Sequence, residues 1–187
     1  LFLCALMPFA VLRLPVQTPW TSAPARRRSA ALAAWAFLVV VLGAKGVEAI
    51  DAPAVCTLMG LGAFPAADPQ WMGMLGMHGT LEANMAMHDC DVMICIGARF
   101  DDRITGNVDA FSPGSKKIHV DIDRSSINKN VHVDIPIVGD CGRVLEQMIA
   151  VWQAKKPKID KATLKSWWAE IEHWRARNCL HYRKRDD

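Results

Sequence analysis

The chain has 187 residues, room for one ordinary domain with extensions, and 51% of them are hydrophobic, so a real core is expected. Its formal net charge of +3 is small, and the only basic runs, Arg26-Arg27-Arg28 and Arg183-Lys184-Arg185, are not interleaved with aromatics. That composition argues against a nucleic-acid partner. The six cysteines form no Cys-x-x-Cys pair, and the six histidines do not stand at ligand spacing from them. Neither a disulfide framework nor a zinc site is expected; the cysteines read as reduced thiols of a cytoplasmic protein.

Residues 1–47 are atypical. Residues 1–10 are apolar, and 15–28 are rich in Pro, Ser, Thr and Ala without periodicity. Residues 30–44, AALAAWAFLVVVLGA, are continuously apolar and follow three arginines. One reading is a signal-peptide core or a marginal membrane anchor. The other is a buried strand with an adjoining helix, because a span needs about 20 apolar residues.

From Val47 onward, strand and helix patterns alternate. Residues 54–58 (AVCTL) read as a short buried strand ending in the glycine loop Met59-Gly60-Leu61-Gly62. Residues 63–73, with Pro65, Pro69 and Trp71, read as a surface loop. Thr80 is the expected cap of a helix over 81–88, with Leu81 and Met85 on one face. Residues 92–96 (VMICI) are apolar without alternation, as in a strand buried on both faces of a parallel sheet. Residues 104–115 form another loop, and 117–122 (KIHVDI) a strand closing in acid. One helical turn is expected at 125–129 and a strand at 135–138. Asp140 then caps a helix over 141–154, where Val144, Leu145, Met148, Ile149 and Trp152 recur at helical spacing. Lys155-Lys156-Pro157-Lys158 breaks it, and a last amphipathic helix at 161–179 carries Leu164, Trp167, Trp168, Ile171 and Trp174 on one side. That tryptophan stripe reads as packing against a neighbouring domain.

Alternating elements of this kind predict an α/β fold built on a doubly wound, Rossmann-like parallel sheet. Ligands of such sheets bind at the carboxyl ends of the strands. Gly97 ends one strand and Asp121 the next, at a spacing compatible with a nucleotide site, although no GxGxxG fingerprint is present. Arg99 and Arg103 flank Asp101 and Asp102; arginine offers a planar fork of donors to phosphate or carboxylate, and an internal ion-pair cluster is the competing reading. His78 reads as a hydrogen-bonded loop residue, and the methionines 72, 74, 77, 85 and 87 as packing. No nucleophile with a partnered base and no carboxylate pair can be read from the chain.

Several motifs in order carry a resemblance: TLMGLGAFP at 57–65, GMLGMHGT at 73–80, GARFDDRITG at 97–106 and HVDID at 119–123. Over residues 48–154 the chain resembles the central domain of the acetolactate synthase (acetohydroxyacid synthase) catalytic subunit. That family depends on thiamine diphosphate and magnesium, held by domains other than the central one. It decarboxylates pyruvate and joins the two-carbon unit to a second 2-oxo acid, in branched-chain amino-acid synthesis. The central domain binds FAD, which performs no net redox step. The resemblance implies that Thr57 and Leu58 line the flavin, with Leu75, Gly76, Met77 and His78 along it. It puts Gly97, Ala98, Arg99, Phe100 and Asp101 around the diphosphate and ribityl chain. Asp121 and Ile122 would hold the adenosine ribose and adenine, with Asp140 and Cys141 beside the adenine. Asp102 and Arg103 would face the substrate channel, Arg103 meeting the carboxylate of the second 2-oxo acid. Homo-oligomers and a regulatory small subunit are implied as partners, and no protein metal ligands within this stretch.

The sequence departs from the family at 1–47, where the opening strand, glycine-rich turn and helix are not recognisable; a mistaken start or a frameshifted upstream reading would explain this. The expected organisation is therefore an atypical segment at 1–47, an FAD-binding central domain at 48–155 and a linker helix at 156–187 leading to a thiamine diphosphate domain. As such a fragment the chain is expected to be inactive alone. A related carboligase, such as glyoxylate carboligase, and a membrane-anchored interaction protein are the alternatives.

Overall fold

The computed structural model describes residues 46, 47 and 50–182. The readings placed on 1–45, including the apolar run 30–44, lie outside them. No helix among the described residues is long and apolar enough to cross a membrane.

The described chain is an α/β fold with every strand pair parallel. Strand β1 (Ala54–Cys56) pairs with β2 (Trp71–Met74), and β3 (Val92–Ile96), β4 (Lys116–Asp121) and β5 (Ile135–Val138) form a second sheet in that order. Helix α1 (Leu81–Asp89) connects β2 to β3, and the single turn α2 (Asp102–Thr105) follows β3. Helices α3 (Cys141–Lys155) and α4 (Lys161–Arg175) close the chain. Among the described residues the strands thus occupy two parallel sheets rather than one continuous layer.

Strand β2 falls where the sequence suggests a surface loop. WMGM has weak strand propensity, and the partner strand supplies what propensity lacks. Ala54 aligns with Trp71 and Cys56 with Met74, so β2 holds one residue more than β1 across this interval. Gly73, at φ +96°, is the residue in the left-handed region there, as expected of a glycine-bearing bulge. The hydroxyl of Thr80 donates to the Met72 carbonyl at 2.8 Å and accepts from the Ala83 amide at 3.2 Å, so one side chain fixes the bulge and caps α1.

Two apolar clusters hold the layers. In the first, Met72, Ala83, Ala86, Ile171 and Trp174 are buried together. Small alanines on α1 leave room for α4 to lie close, and the tryptophan stripe packs here, within the described chain, rather than only on a neighbouring domain. Trp167 meets Trp174 edge-on at 5.7 Å, and Trp168 donates its indole N–H to the Asp51 carbonyl at 3.2 Å. Arg175 donates to the carbonyls of Pro69 and Trp71, pinning the approach to β2. The second cluster, Phe100, Phe111, Val131 and Val133, covers one face of β3 and β4 with help from Met93 and Cys95. Strand β3 itself is only half-buried, less than its unbroken apolar sequence suggests. Asp140 and Asp160 cap α3 and α4 through side-chain acceptance of Arg143 N–H and of Ala162 and Thr163 N–H. Lys156 ends α3 in the left-handed region at φ +43°, directly before Pro157.

Ile171 is fully buried between α1 and β2. Ile171→Ala is expected to cost about 2–5 kcal/mol, read as a shift in urea midpoint with an unchanged slope. The Thr163 hydroxyl, then the Thr163 and Ala162 amides, hold the Asp160 carboxyl below its ordinary range. A carboxylate favoured in this way stabilises above the ordinary carboxylate pKa, and its contribution disappears as pH falls through the lowered value. Asp160→Ala should therefore lower the melting temperature by about 2–4 °C at neutral pH, a difference that vanishes in acid.

Candidate functional site

The carboxyl ends of the strands carry most of the residues with chemistry. After β1, Thr57 starts a 3-10 turn, Leu58–Gly60, its hydroxyl accepting the Gly60 amide at 3.2 Å. After β2 come Leu75, Gly76, Met77 and His78; after β3, Gly97 to Asp101; at the end of β4, Asp121 and Ile122; after β5, Gly139, Asp140 and Cys141. Most exposed large apolar side chains of the described chain stand at these ends: Leu58, Met59, Leu61, Met77, Ile96, Ile122 and Val138. Met59 is 92% exposed and Met77 62%, on backbone turns that are themselves hydrogen-bonded. An apolar rim of this kind suits a flat, partly apolar ligand or a covering surface.

Backbone hydrogen bonds tie the loops together. The Met77 amide donates to the Arg103 carbonyl at 2.8 Å. Gly76 has φ +97°, and a Cβ there would lie 2.7 Å from the same carbonyl, so only glycine fits. Asn84 in α1 clamps Gly76 from both sides, its amide oxygen accepting the Gly76 N–H at 2.8 Å and its nitrogen donating to the Gly76 carbonyl at 3.0 Å. The Gly97 amide donates to Val120 and the Gly139 amide to Asp121, which joins the ends of β3, β4 and β5. Gly97 has φ +66°, a conformation that favours glycine, and a Cβ there would make only an ordinary 3.8 Å contact with the Cys141 sulfur.

The charged loop is not a buried ion-pair cluster. Arg99 and Asp101 form an exposed pair at 2.7 Å. Asp102 accepts the Arg103 amide at 2.9 Å, and both side chains are exposed. Arg103 thus contributes its carbonyl to the loop junction and leaves its guanidinium on the surface. Phe100 is placed differently from its neighbours. Its backbone, at φ +52°, lies in the loop, but its ring is buried against Phe111 and His119. Ala98 and Leu75 are half-buried, while His78 is exposed.

Asp121 is buried at the end of β4. Its Oδ1 accepts the Asp123 amide at 2.8 Å, and its Oδ2 faces His119 Nε2 at 3.8 Å, beyond hydrogen-bond reach. Cys141 stands at the amino end of α3, a position that ordinarily favours a thiolate. Burial, reinforced by Asp121 and Asp140, instead pushes its thiol up to about 11. Burial pushes Cys95 up to about 12. Thiols raised in this way are protonated at neutral pH and poor nucleophiles, and Cys95 packs against the second apolar cluster.

Two residues of this region escape sequence reasoning. Asn84 carries a faint signal, since asparagine is a poor helix former that finds use when its amide bonds to backbone. His119 sits in the HVDID motif but gives no sign that it is fully buried. Together the rim offers a buried acid for hydroxyl donors, an exposed arginine for anions, free apolar side chains and backbone held close by glycine. That donor set and the tight glycine approach fit a nucleotide-bearing ligand with a flat ring system.

Comparison with known proteins shows the family. The family described as thiamine pyrophosphate enzyme, central domain, matches residues 32–148. The chain is 53% identical over 136 residues to the acetolactate synthase isozyme 3 large subunit of Escherichia coli, covering 73% of this chain and 24% of that protein. It is 50% identical over 135 residues to the acetolactate synthase large subunit of Haemophilus influenzae, covering 72% and 23%. With the acetolactate synthase of Mycobacterium leprae the identity is 41% over 140 residues, covering 75% and 22%. The chain spans about a quarter of the length of these curated relatives. With its parallel α/β fold and its matched residues, the chain belongs to the thiamine pyrophosphate enzyme central-domain family.

Proposed function

We propose that the chain supplies the FAD-binding central domain of an acetolactate synthase large subunit. The observation that supports this reading is that residues the motif resemblance assigns to the cofactor end or follow strands β1 to β5. Thr57, Leu58, Gly76, Met77, Gly97, Arg99, Asp121, Ile122, Asp140 and Cys141 all follow or end strands. Identities near 50% to two acetolactate synthase large subunits support it.

In this reading the complete enzyme's thiamine diphosphate and Mg2+ supply the decarboxylation and carbon–carbon bond formation, and the flavin undergoes no net redox change. The residues described here bind and orient. Asp121 accepts hydrogen bonds from a ribose, its acceptor capacity preserved by burial. Arg99 offers its guanidinium to a diphosphate in exchange for its exposed pair with Asp101, which costs little to open. The apolar rim, Leu58 and Met77 in particular, covers a ring system and excludes water from it. Arg103, exposed on α2, meets the carboxylate of the second 2-oxo acid; the substrates, the homo-oligomer, the regulatory subunit and the cytoplasmic location belong to the same proposal. Because these residues span about a quarter of the relatives' length, acetolactate formation is assigned to the complete enzyme, not to the chain alone.

The test is a fluorescence titration of the purified chain with FAD. Saturable quenching is expected, and Asp121→Asn should weaken it about tenfold, the loss of one charged hydrogen-bond acceptor. Absence of saturable binding by the unaltered chain refutes the flavin assignment. In a full-length relative, replacing the arginine equivalent to Arg103 by alanine should raise KM for the second 2-oxo acid by about 10–100-fold while FAD content stays constant. Equal loss of FAD would contradict a substrate-facing role.

A further inference from the structure

His119 lies in the middle of the α/β layer with no exposed surface. Neither ring nitrogen has a hydrogen-bond partner among the described residues. A buried donor or acceptor left unpaired destabilises the fold, and an apolar ring of similar size would avoid that cost. Strand β4 alternates, so Lys117, His119 and Asp121 share one face and Ile118 and Val120 the other. Lys117 is committed to the carbonyls of Ser112 and Ser115. Cys95, aligned with His119 on β3, is a half-buried thiol. Phe100 presents its ring edge-on at 5.0 Å. Burial holds the imidazole below its ordinary pKa, opposed by the polar groups beside it, the Asp121 carboxylate at 3.8 Å and the Ala98 backbone.

We propose that His119 is a positioning residue, wedged between the Ala98 backbone and the Asp121 carboxylate so that the acid ending β4 is held in register with the glycine loop ending β3. In this arrangement Nε2 carries the proton and faces Asp121 Oδ2 at 3.8 Å. The ring is kept at this point in spite of its unpaired nitrogens because it orients a binding group, in the way that outer partners orient functional carboxylates and imidazoles elsewhere. The inference rests on the flavin dinucleotide reading given above.

The test uses the full chain. His119→Phe keeps an aromatic ring against Phe100 and Phe111 and removes both nitrogens. Its melting temperature without ligand should equal or exceed that of the unaltered chain, while its affinity for FAD falls about tenfold. His119→Gln, which restores a donor, should recover most of that loss. Combined with Asp121→Asn, His119→Phe should add no further loss, because the histidine acts through the acid. Undiminished FAD affinity in His119→Phe, or fully additive losses, overturns the proposal and leaves the flavin reading intact. Failure of the unaltered chain to bind FAD overturns both. Should His119→Phe not fold, imidazole nitrogen NMR of the unaltered chain decides: an Nε2–H tautomer whose resonance moves in Asp121→Asn is expected, and an Nδ1–H tautomer or an unmoved resonance refutes the contact.

Discussion

One backbone hydrogen bond, from the Met77 amide to the Arg103 carbonyl, connects the two sheets at their carboxyl ends. Met77 follows β2 in one sheet, and Arg103 lies in the turn that follows β3 in the other. No strand ladder joins these sheets among the described residues, so loop-to-loop contact does that work at the rim. The contact requires Gly76, because any side chain there would collide with the accepting carbonyl. Asn84 holds the same glycine from behind, so the peptide is fixed by α1 as well as by α2. A loop pinned from both helices can display the exposed Met77 side chain without collapsing onto its own core.

The second sheet shows a related economy. One face of β4 is apolar and packs under α3 through Val144 and Leu145, which are buried. Its other face is polar yet buried, with Lys117 at one end and Asp121 at the other. Lys117 is satisfied by two carbonyls of the preceding turn, so its charge closes the amino end of the strand. Asp121 has one oxygen 3.8 Å from His119 Nε2 and lies at the end where ligands of parallel sheets bind. Along a single strand, one buried polar side chain, Lys117, is held by carbonyls at the amino end, and another, Asp121, lies at the carboxyl end.

The long α4 helix illustrates how a surface element becomes part of the core. Ile171 and Trp174 seal β2 and α1, and Arg175 grips carbonyls that lead into β2. Strand β2 is short and contains a glycine, so it depends on these distant contacts more than on its own propensity. The loop after β2 is thus supported from a helix about a hundred residues further along the chain.

Local chemistry made much of this legible in the amino-acid order. The apolar run of β3, the closing acid of β4, the caps at Thr80 and Asp140 and the helical period of α3 depend on neighbours a few residues away, so periodicity and cap chemistry disclose them. The motifs at 57–65, 73–80, 97–106 and 119–123 disclose the family for the same reason, since each is one continuous stretch of chain. Strand β2 was hidden because its pairing comes from β1 and its burial from α4. The inward Phe100, the clamp of Asn84 on Gly76, the unpaired nitrogens of His119 and the raised thiol of Cys141 were hidden as well. Each depends on which atoms are brought together from separate elements, and burial, hydrogen-bond completion and electrostatic surroundings exist only once those elements have packed.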